Sequence, residues 1–169
     1  GHVNVLYLGT LYDGVRTPDV MLRLFEKMHE KCADVRLYIV GSCGGQCVTR
    51  MLDEAQKTLE NSLVISPSVP CPQAMDLLRC SDAVINLGNK MKNQMPSKLL
   101  DYIAAGKPII NISPNRPCNT HPYIARYPMA VQFYNDELAD AAGLEAAAEK
   151  VVDFVVENRG KSLSWAEVE

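Results

Sequence analysis

Short apolar runs of strand length alternate along this chain with stretches whose apolar residues recur three and four positions apart. That alternation is the pattern of a parallel sheet covered by helices on both faces. The run Val3 to Gly9 (VNVLYLG) predicts a first strand. Thr17-Pro18-Asp19 supplies a cap followed by proline at the first helical position, and Val20, Leu22, Leu24, Phe25 and Met28 give a buried stripe that carries a helix to about Lys31. Val35 to Gly41 predicts a second strand, residues 46–58 a helix, and Leu63 to Ser66 a third strand. Proline crowds the segment Ser66 to Pro72, which reads as a loop before a helix over Gln73 to Arg79. Asp82 to Leu87 is the fourth strand, and the helix Ser97 to Ala105 is closed by Gly106-Lys107-Pro108. Ile109 to Ile112 and Ala130 to Phe133 complete six strands, with a short helix near Pro122–Arg126 between them and a long helix from Leu138 to Asn158 after them.

Six strands joined by helices predict a doubly wound parallel α/β sheet in one domain spanning residues 1–169, in the common strand order 3-2-1-4-5-6. In such sheets ligands collect beyond the carboxyl ends of the strands, where the order reverses, here between the first and fourth strands. The loops at that point are Gly9-Thr10-Leu11-Tyr12-Asp13-Gly14-Val15-Arg16 and Gly88 to Pro96. Both are richer in glycine and polar groups than a minimal connection requires.

Each loop delivers a cation to the start of a helix: Arg16 ahead of the first, Lys98 in the first turn of the one beginning near Ser97. A helix N-terminus already carries partial positive charge, so a cation there costs some tenths of a kcal/mol unless an anion arrives. Two such cations facing one crevice point to a diphosphate. A local ion pair with Asp101 is the competing use of Lys98, and solvation that of Arg16. Asp101 lies on the same helix face, where its carboxylate could accept hydrogen bonds from ribose hydroxyls.

Composition narrows the alternatives. With 47% hydrophobic and 22% charged residues over 169 positions, one ordinary core can form. A formal charge of −3 gives no general attraction to nucleic acid or anionic lipid, so no nucleic-acid partner is expected. No apolar run approaches the ~20 residues of a membrane span and the start Gly1-His2-Val3 carries no signal segment, so membrane association is not encoded here and a cytoplasmic location is expected. The six cysteines (Cys32, Cys43, Cys47, Cys71, Cys80, Cys118) include no C-x-x-C pair, and His2, His29 and His121 are not spaced to complete a metal site. No metal and no cofactor are expected. Neither G-x-x-x-x-G-K-[ST] nor G-x-G-x-x-G occurs, which speaks against a P-loop and a dinucleotide dehydrogenase.

The stretch Gln94-Met95-Pro96-Ser97-Lys98-Leu99-Leu100-Asp101-Tyr102-Ile103-Ala104-Ala105-Gly106-Lys107-Pro108-Ile109, supported by Tyr7-Leu8-Gly9-Thr10-Leu11 with Arg16 and by Leu37-Tyr38-Ile39-Val40-Gly41, resembles a known family. It is similar to the carboxyl-terminal, donor-binding domain of GT-B glycosyltransferases of group 1, also called family-4-like. The resemblance implies a Rossmann-like domain, one half of a GT-B fold, belonging to a longer enzyme whose amino-terminal acceptor domain lies outside this sequence.

The resemblance further implies a nucleoside-diphosphate sugar, such as a UDP-sugar, as the bound partner. The diphosphate is expected near Gly9, Thr10, Arg16 and Lys98, the ribose on Asp101, and the base near Gly41, Val69 and Pro70. Asn93, Pro96 and Ser97 complete the expected set. Two positions depart from the family pattern: Asn93 stands where the first motif glutamate is usual, and Thr10 where many members carry arginine. The implied activity is hexosyl transfer to an acceptor hydroxyl, with retention, in polysaccharide biosynthesis. Arg16 and Lys98 stabilise the leaving group, and no activity is expected of the fragment alone. A nucleotide-sugar epimerase half and a degenerate, non-catalytic relative are the competing readings.

Overall fold

A computed structural model describes residues 1–90 and 97–168. Strands β1 (Val3–Leu8), β3 (Val35–Val40), β5 (Leu63–Ser66), β6 (Ala83–Leu87), β7 (Ile109–Ser113) and β8 (Ala130–Tyr134) form one sheet in the order β5-β3-β1-β6-β7-β8, parallel throughout. Counted along this sheet alone, that is the expected 3-2-1-4-5-6 order. The central strands β6 and β7 are buried along their whole length, which is why they read as mostly apolar runs, interrupted by the buried Asn86, Asn111 and Ser113, rather than as alternation.

Two cores lie on the two faces of the sheet. Helices α1 (Asp19–Lys31), α2 (Gln46–Leu59) and α6 (Ala141–Glu157) cover one, burying Phe25, Met28, Leu52 and Val151 against Val5, Leu37 and Ile85. Helices α3 (Cys71–Cys80), α4 (Lys98–Ala104), α5 (His121–Ile124) and α7 (Trp165–Val168) cover the other, with Leu78, Leu99, Tyr102 and Ile124 over Leu6, Val84 and Ile109. Burial of this kind contributes on the order of 25 cal/mol per Å² of apolar surface and is what fixes the sheet.

Boundaries shift where local chemistry competes. Helix α3 starts at Cys71, two residues ahead of expectation, because Pro72 sits in its first turn, where proline costs no hydrogen bond. Thr17 does not cap α1: its hydroxyl donates to the Asp19 carboxylate at 2.6 Å, and Pro18 holds the cap position. Helix α6 is capped by Asp140, which accepts from the Gly143 N–H at 2.8 Å.

After α6 the chain crosses the amino-terminal edge of the sheet. The Gly160 N–H donates to Asp82 at 3.2 Å and Arg159 donates to the His2 carbonyl at 2.9 Å. The Leu163 N–H then reaches the Gly106 carbonyl at 2.9 Å, seating Leu163 and Val168 on the second core while Trp165 stays 66% exposed. The tail therefore docks on the edge opposite the loops that carry the expected site.

Candidate functional site

β1 and β6 are paired at Val5↔Ala83 and Leu6↔Val84 and then diverge, so Leu8 has no ladder partner on that side. Tyr102 of α4 takes its place: its buried hydroxyl accepts the Leu8 N–H at 3.2 Å and donates to the Leu8 carbonyl at 3.1 Å. Burial also drives the Tyr102 phenol well above its ordinary pKa, so it stays a neutral donor. Tyr102 lies one turn beyond Lys98, on the same face of α4. One side chain thus ties the helix that carries Lys98 to the end of β1.

On the other side of the crevice the loop after β1 is held as a rigid lip. The Gly9 N–H donates to the Val40 carbonyl at 3.1 Å, and strand β2 (Leu11–Tyr12) pairs in parallel with β4 (Cys43–Gly44). Gly41, at φ +157°, approaches so closely that a Cβ there would overlap the Gly9 carbonyl oxygen. This two-residue ladder was not expected from the sequence.

The lip ends in a tight turn. The Tyr12 carbonyl accepts from Val15 at 3.3 Å and Arg16 at 3.1 Å, and the Tyr12 N–H donates to the Arg16 carbonyl at 2.9 Å. Arg16 emerges from the turn toward β6. Its Nε donates to Asn89 Oδ1 at 2.9 Å, its Nη2 meets the same oxygen, and its Nη1 donates to the Thr10 carbonyl at 3.4 Å. Both acceptors are neutral groups, and among the described residues no carboxylate pairs with this guanidinium. The buried Tyr7 hydroxyl shares the Thr10 carbonyl at 3.3 Å; burial raises its pKa and the neighbouring Arg16 charge partly offsets the rise.

The loop after β6 is tied in as well. Asn89 is 6% exposed, the Lys90 N–H donates to the Val15 carbonyl at 3.3 Å, and the Asn115 amide donates to the Asn89 and Lys90 carbonyls at 3.1 Å each. Beside Arg16 these loops enclose about 30 Å³, lined also by Lys90, Gly88 and Asn135.

Lys98 stands in a different state. Its Nζ is 3.0 Å from Asp101 Oδ2, with the two side chains 41% and 44% exposed. Ser97 precedes it as an exposed helical cap residue with no side-chain cap bond. Asn93 and Pro96 lie outside the described residues. Gly41 packs on Gly9 as described, and Ser42 bonds Ser68 at 2.8 Å, which draws the loop carrying half-buried Val69 and exposed Pro70 to the same edge. Gly9, Thr10, Arg16, Gly41, Val69, Pro70, Ser97, Lys98 and Asp101 therefore all belong to the carboxyl ends of the strands or the loops and helix that follow them.

Asn89 and Tyr102 are additions to the expected residues. Asn89 could have been suspected as an asparagine beside a strand end; Tyr102 reads in the sequence only as part of the apolar stripe of α4. Among the described residues no cluster of three or more His, Cys, Asp or Glu side chains is gathered as metal ligands. No helix of the described residues is long and apolar enough to cross a membrane.

Among solved structures the pneumococcal O-GlcNAc transferase GtfA in complex with UDP and GlcNAc is similar at a TM-score of 0.66 and 14% identity, with 92% of this chain and 29% of that one covered. Anabaena HepE in complex with UDP gives 0.60 and 14%, covering 93% of this chain and 46% of that one. The C-terminal domain of the group 1 glycosyl transferase LpcC from Francisella tularensis gives 0.58 and 11%, covering 92% and 85%. This chain thus spans about a third to a half of the two UDP-bound proteins but most of the isolated C-terminal domain. No curated protein sequence matches it. These likenesses establish the shared fold, a GT-B-type Rossmann-like domain. The sequence itself matches the description Glycosyl transferases group 1 over residues 2–120, well over half of its length, and the chain belongs to that family.

Proposed function

We propose that this domain binds the nucleoside-diphosphate part of a sugar donor along the carboxyl edge of β1 and β6. In the longer protein it would serve transfer of a glycosyl group to an acceptor hydroxyl. The observation that carries this reading is Arg16: a guanidinium fixed at the strand divergence by neutral acceptors only, with its charge left for an anion. A diphosphate supplies that anion. Two similar proteins are solved with UDP, which makes UDP the first nucleotide to consider here.

When the glycosidic C–O bond breaks, its electron pair goes to the β-phosphate oxygen, and negative charge grows on the leaving diphosphate. Arg16 stabilises that charge at a preset position, and Lys98 joins it once its contact with Asp101 yields. Asp101, released, is placed for the ribose hydroxyls, and Gly41, Val69 and Pro70 for the base. In this scheme the protein's own cations, and no metal, neutralise the leaving group. Retention of configuration, and an acceptor site on a separate amino-terminal domain, are part of the same proposal. The family match favours transfer over the epimerase reading. The hollow beside Arg16 is small, about 30 Å³, and in a two-domain enzyme a second wall supplied from elsewhere would complete the donor site.

The test is amide chemical-shift mapping with UDP on the 169-residue chain. The proposal expects saturable shifts at Gly9, Thr10, Arg16, Gly41, Val69 and Lys98. Shifts confined to the α7 side of the domain, or none, would refute it.

A further inference from the structure

Helix α2 is fourteen residues long, begins behind Gly45, and has neither a side-chain cap at its own N-terminus nor an acidic residue in its first turn. Such a helix leaves N–H donors and partial positive charge unanswered. The answer comes from a distant loop. Asp13 accepts the Cys47 N–H at 3.1 Å through Oδ2 and the Val48 N–H at 2.8 Å through Oδ1. Gly45, at φ +102°, makes the room, since a Cβ there would overlap this carboxylate.

Asp13 is also inside the tight turn that delivers Arg16. Its own N–H donates to the Gly44 carbonyl at 3.2 Å, so the turn is gripped at its backbone by β4 and at its side chain by α2. Three residues later the chain presents Arg16 to Asn89. A charge-assisted carboxylate held by two N–H groups is a stronger anchor than the neutral contacts around it.

We propose that Asp13 is a positioning residue for Arg16, clamping the turn between β1 and α1 onto the N-terminus of α2 so that the guanidinium meets the donor's diphosphate. It also fills the α2 N-terminus with the protein's own carboxylate, so that an incoming diphosphate is left to the Arg16 side of the crevice. The inference rests on the nucleoside-diphosphate reading above and assigns to that site a residue that itself touches no ligand.

The sign of one substitution tests it. A carboxylate near an anion site lowers anion affinity through its charge alone, so its simple removal should strengthen UDP binding. Positioning predicts the reverse. With UDP and uridine titrated by chemical shift, Asp13→Ala should weaken UDP by about tenfold, the worth of one misdirected charge-assisted hydrogen bond, while uridine stays within about twofold. Asp13→Asn keeps one neutral oxygen acceptor where the carboxylate offered two charged ones, and should weaken UDP by a few-fold, less than Asp13→Ala, with uridine again within about twofold. Thermal melts of both variants accompany the titrations; Asp13 is exposed, and the Asn variant still decides the matter should the Ala variant unfold. UDP bound by Asp13→Ala as tightly as by the parent or more so would overturn the inference. So would an equal loss of UDP and uridine, or UDP bound by Asp13→Asn as tightly as by the parent. No binding of UDP by the parent chain would instead overturn the nucleotide reading, and this inference with it.

Discussion

Arg16 follows β1 and Lys98 opens the helix after β6, the two strands between which the sheet order reverses, yet they are held in opposite ways. Arg16 is half-buried, fixed by Asn89 and Thr10, and among the described residues is ion-paired with no carboxylate. Lys98, also half-buried, is already paired with Asp101 at 3.0 Å. An exposed i,i+3 pair contributes only about 0.2–1 kcal/mol, so releasing Lys98 costs little, but its side chain must also be ordered when it moves. Arg16 has its geometry set before any ligand arrives. Preorganised charge is worth more than charge that must be recruited, so the wall built by β1 and its loop should carry most of the diphosphate affinity.

The sharpest way to break this contrast is to damage the frame of one wall and leave the other intact. Gly41→Ala places a Cβ on the Gly9 carbonyl at a φ of +157°, a collision between backbones that side-chain rotation cannot relieve. Strain of this kind costs about 1–3 kcal/mol, to be read as a lowered urea midpoint, and the variant should lose UDP binding altogether by displacing the loop that carries Arg16. Unchanged binding would show that the lip does not set the site.

The other wall can be tested through Tyr102. Tyr102→Phe leaves the Leu8 N–H and carbonyl without their present partner and should cost about 1–3 kcal/mol of stability. Its effect on UDP should be smaller than that of Gly41→Ala, because Lys98 is the weaker of the two cations. Calorimetric and urea measurements on one preparation would separate the two quantities.

Salt offers the mildest discrimination. Raising ionic strength from about 0.05 to 0.15 M shortens the screening length and should weaken UDP binding to the parent chain several-fold. An Arg16→Ala chain, left with Lys98 in its solvent-reached pair with Asp101, should keep proportionally less of its remaining affinity than a Lys98→Ala chain keeps. Equal salt slopes for the two variants would mean that the cations are equivalent and that the difference in their surroundings has no consequence.

The sheet order, the reversal between β1 and β6, and the i,i+3 proximity of Lys98 and Asp101 were legible in the sequence because each follows from periodicity or from a fixed helical spacing. What was not legible depends on contacts between distant loops. Leu11-Tyr12 and Cys43-Gly44 have no periodicity to reveal a two-residue ladder, and Asp13 becomes a cap for α2 only once the loops after β1 and β3 lie together. Tyr102 occupies a stripe position that leucine could fill equally well, and its hydroxyl matters only because β6 parts from β1 there. The short helix α7 and the crossing of the tail beneath the sheet follow from Gly160, Asp82 and Gly106, three residues that no local pattern connects.

The most direct test is calorimetric titration of the chain with UDP, GDP and ADP, repeated with Arg16→Ala and Lys98→Ala. Saturable binding of one nucleotide is expected, weakened about tenfold or more by Arg16→Ala and only a few-fold by Lys98→Ala, in keeping with one preset and one recruited cation. Binding that survives loss of Arg16, or a folded chain that ignores all three nucleotides, would contradict the assignment of this crevice to the donor diphosphate.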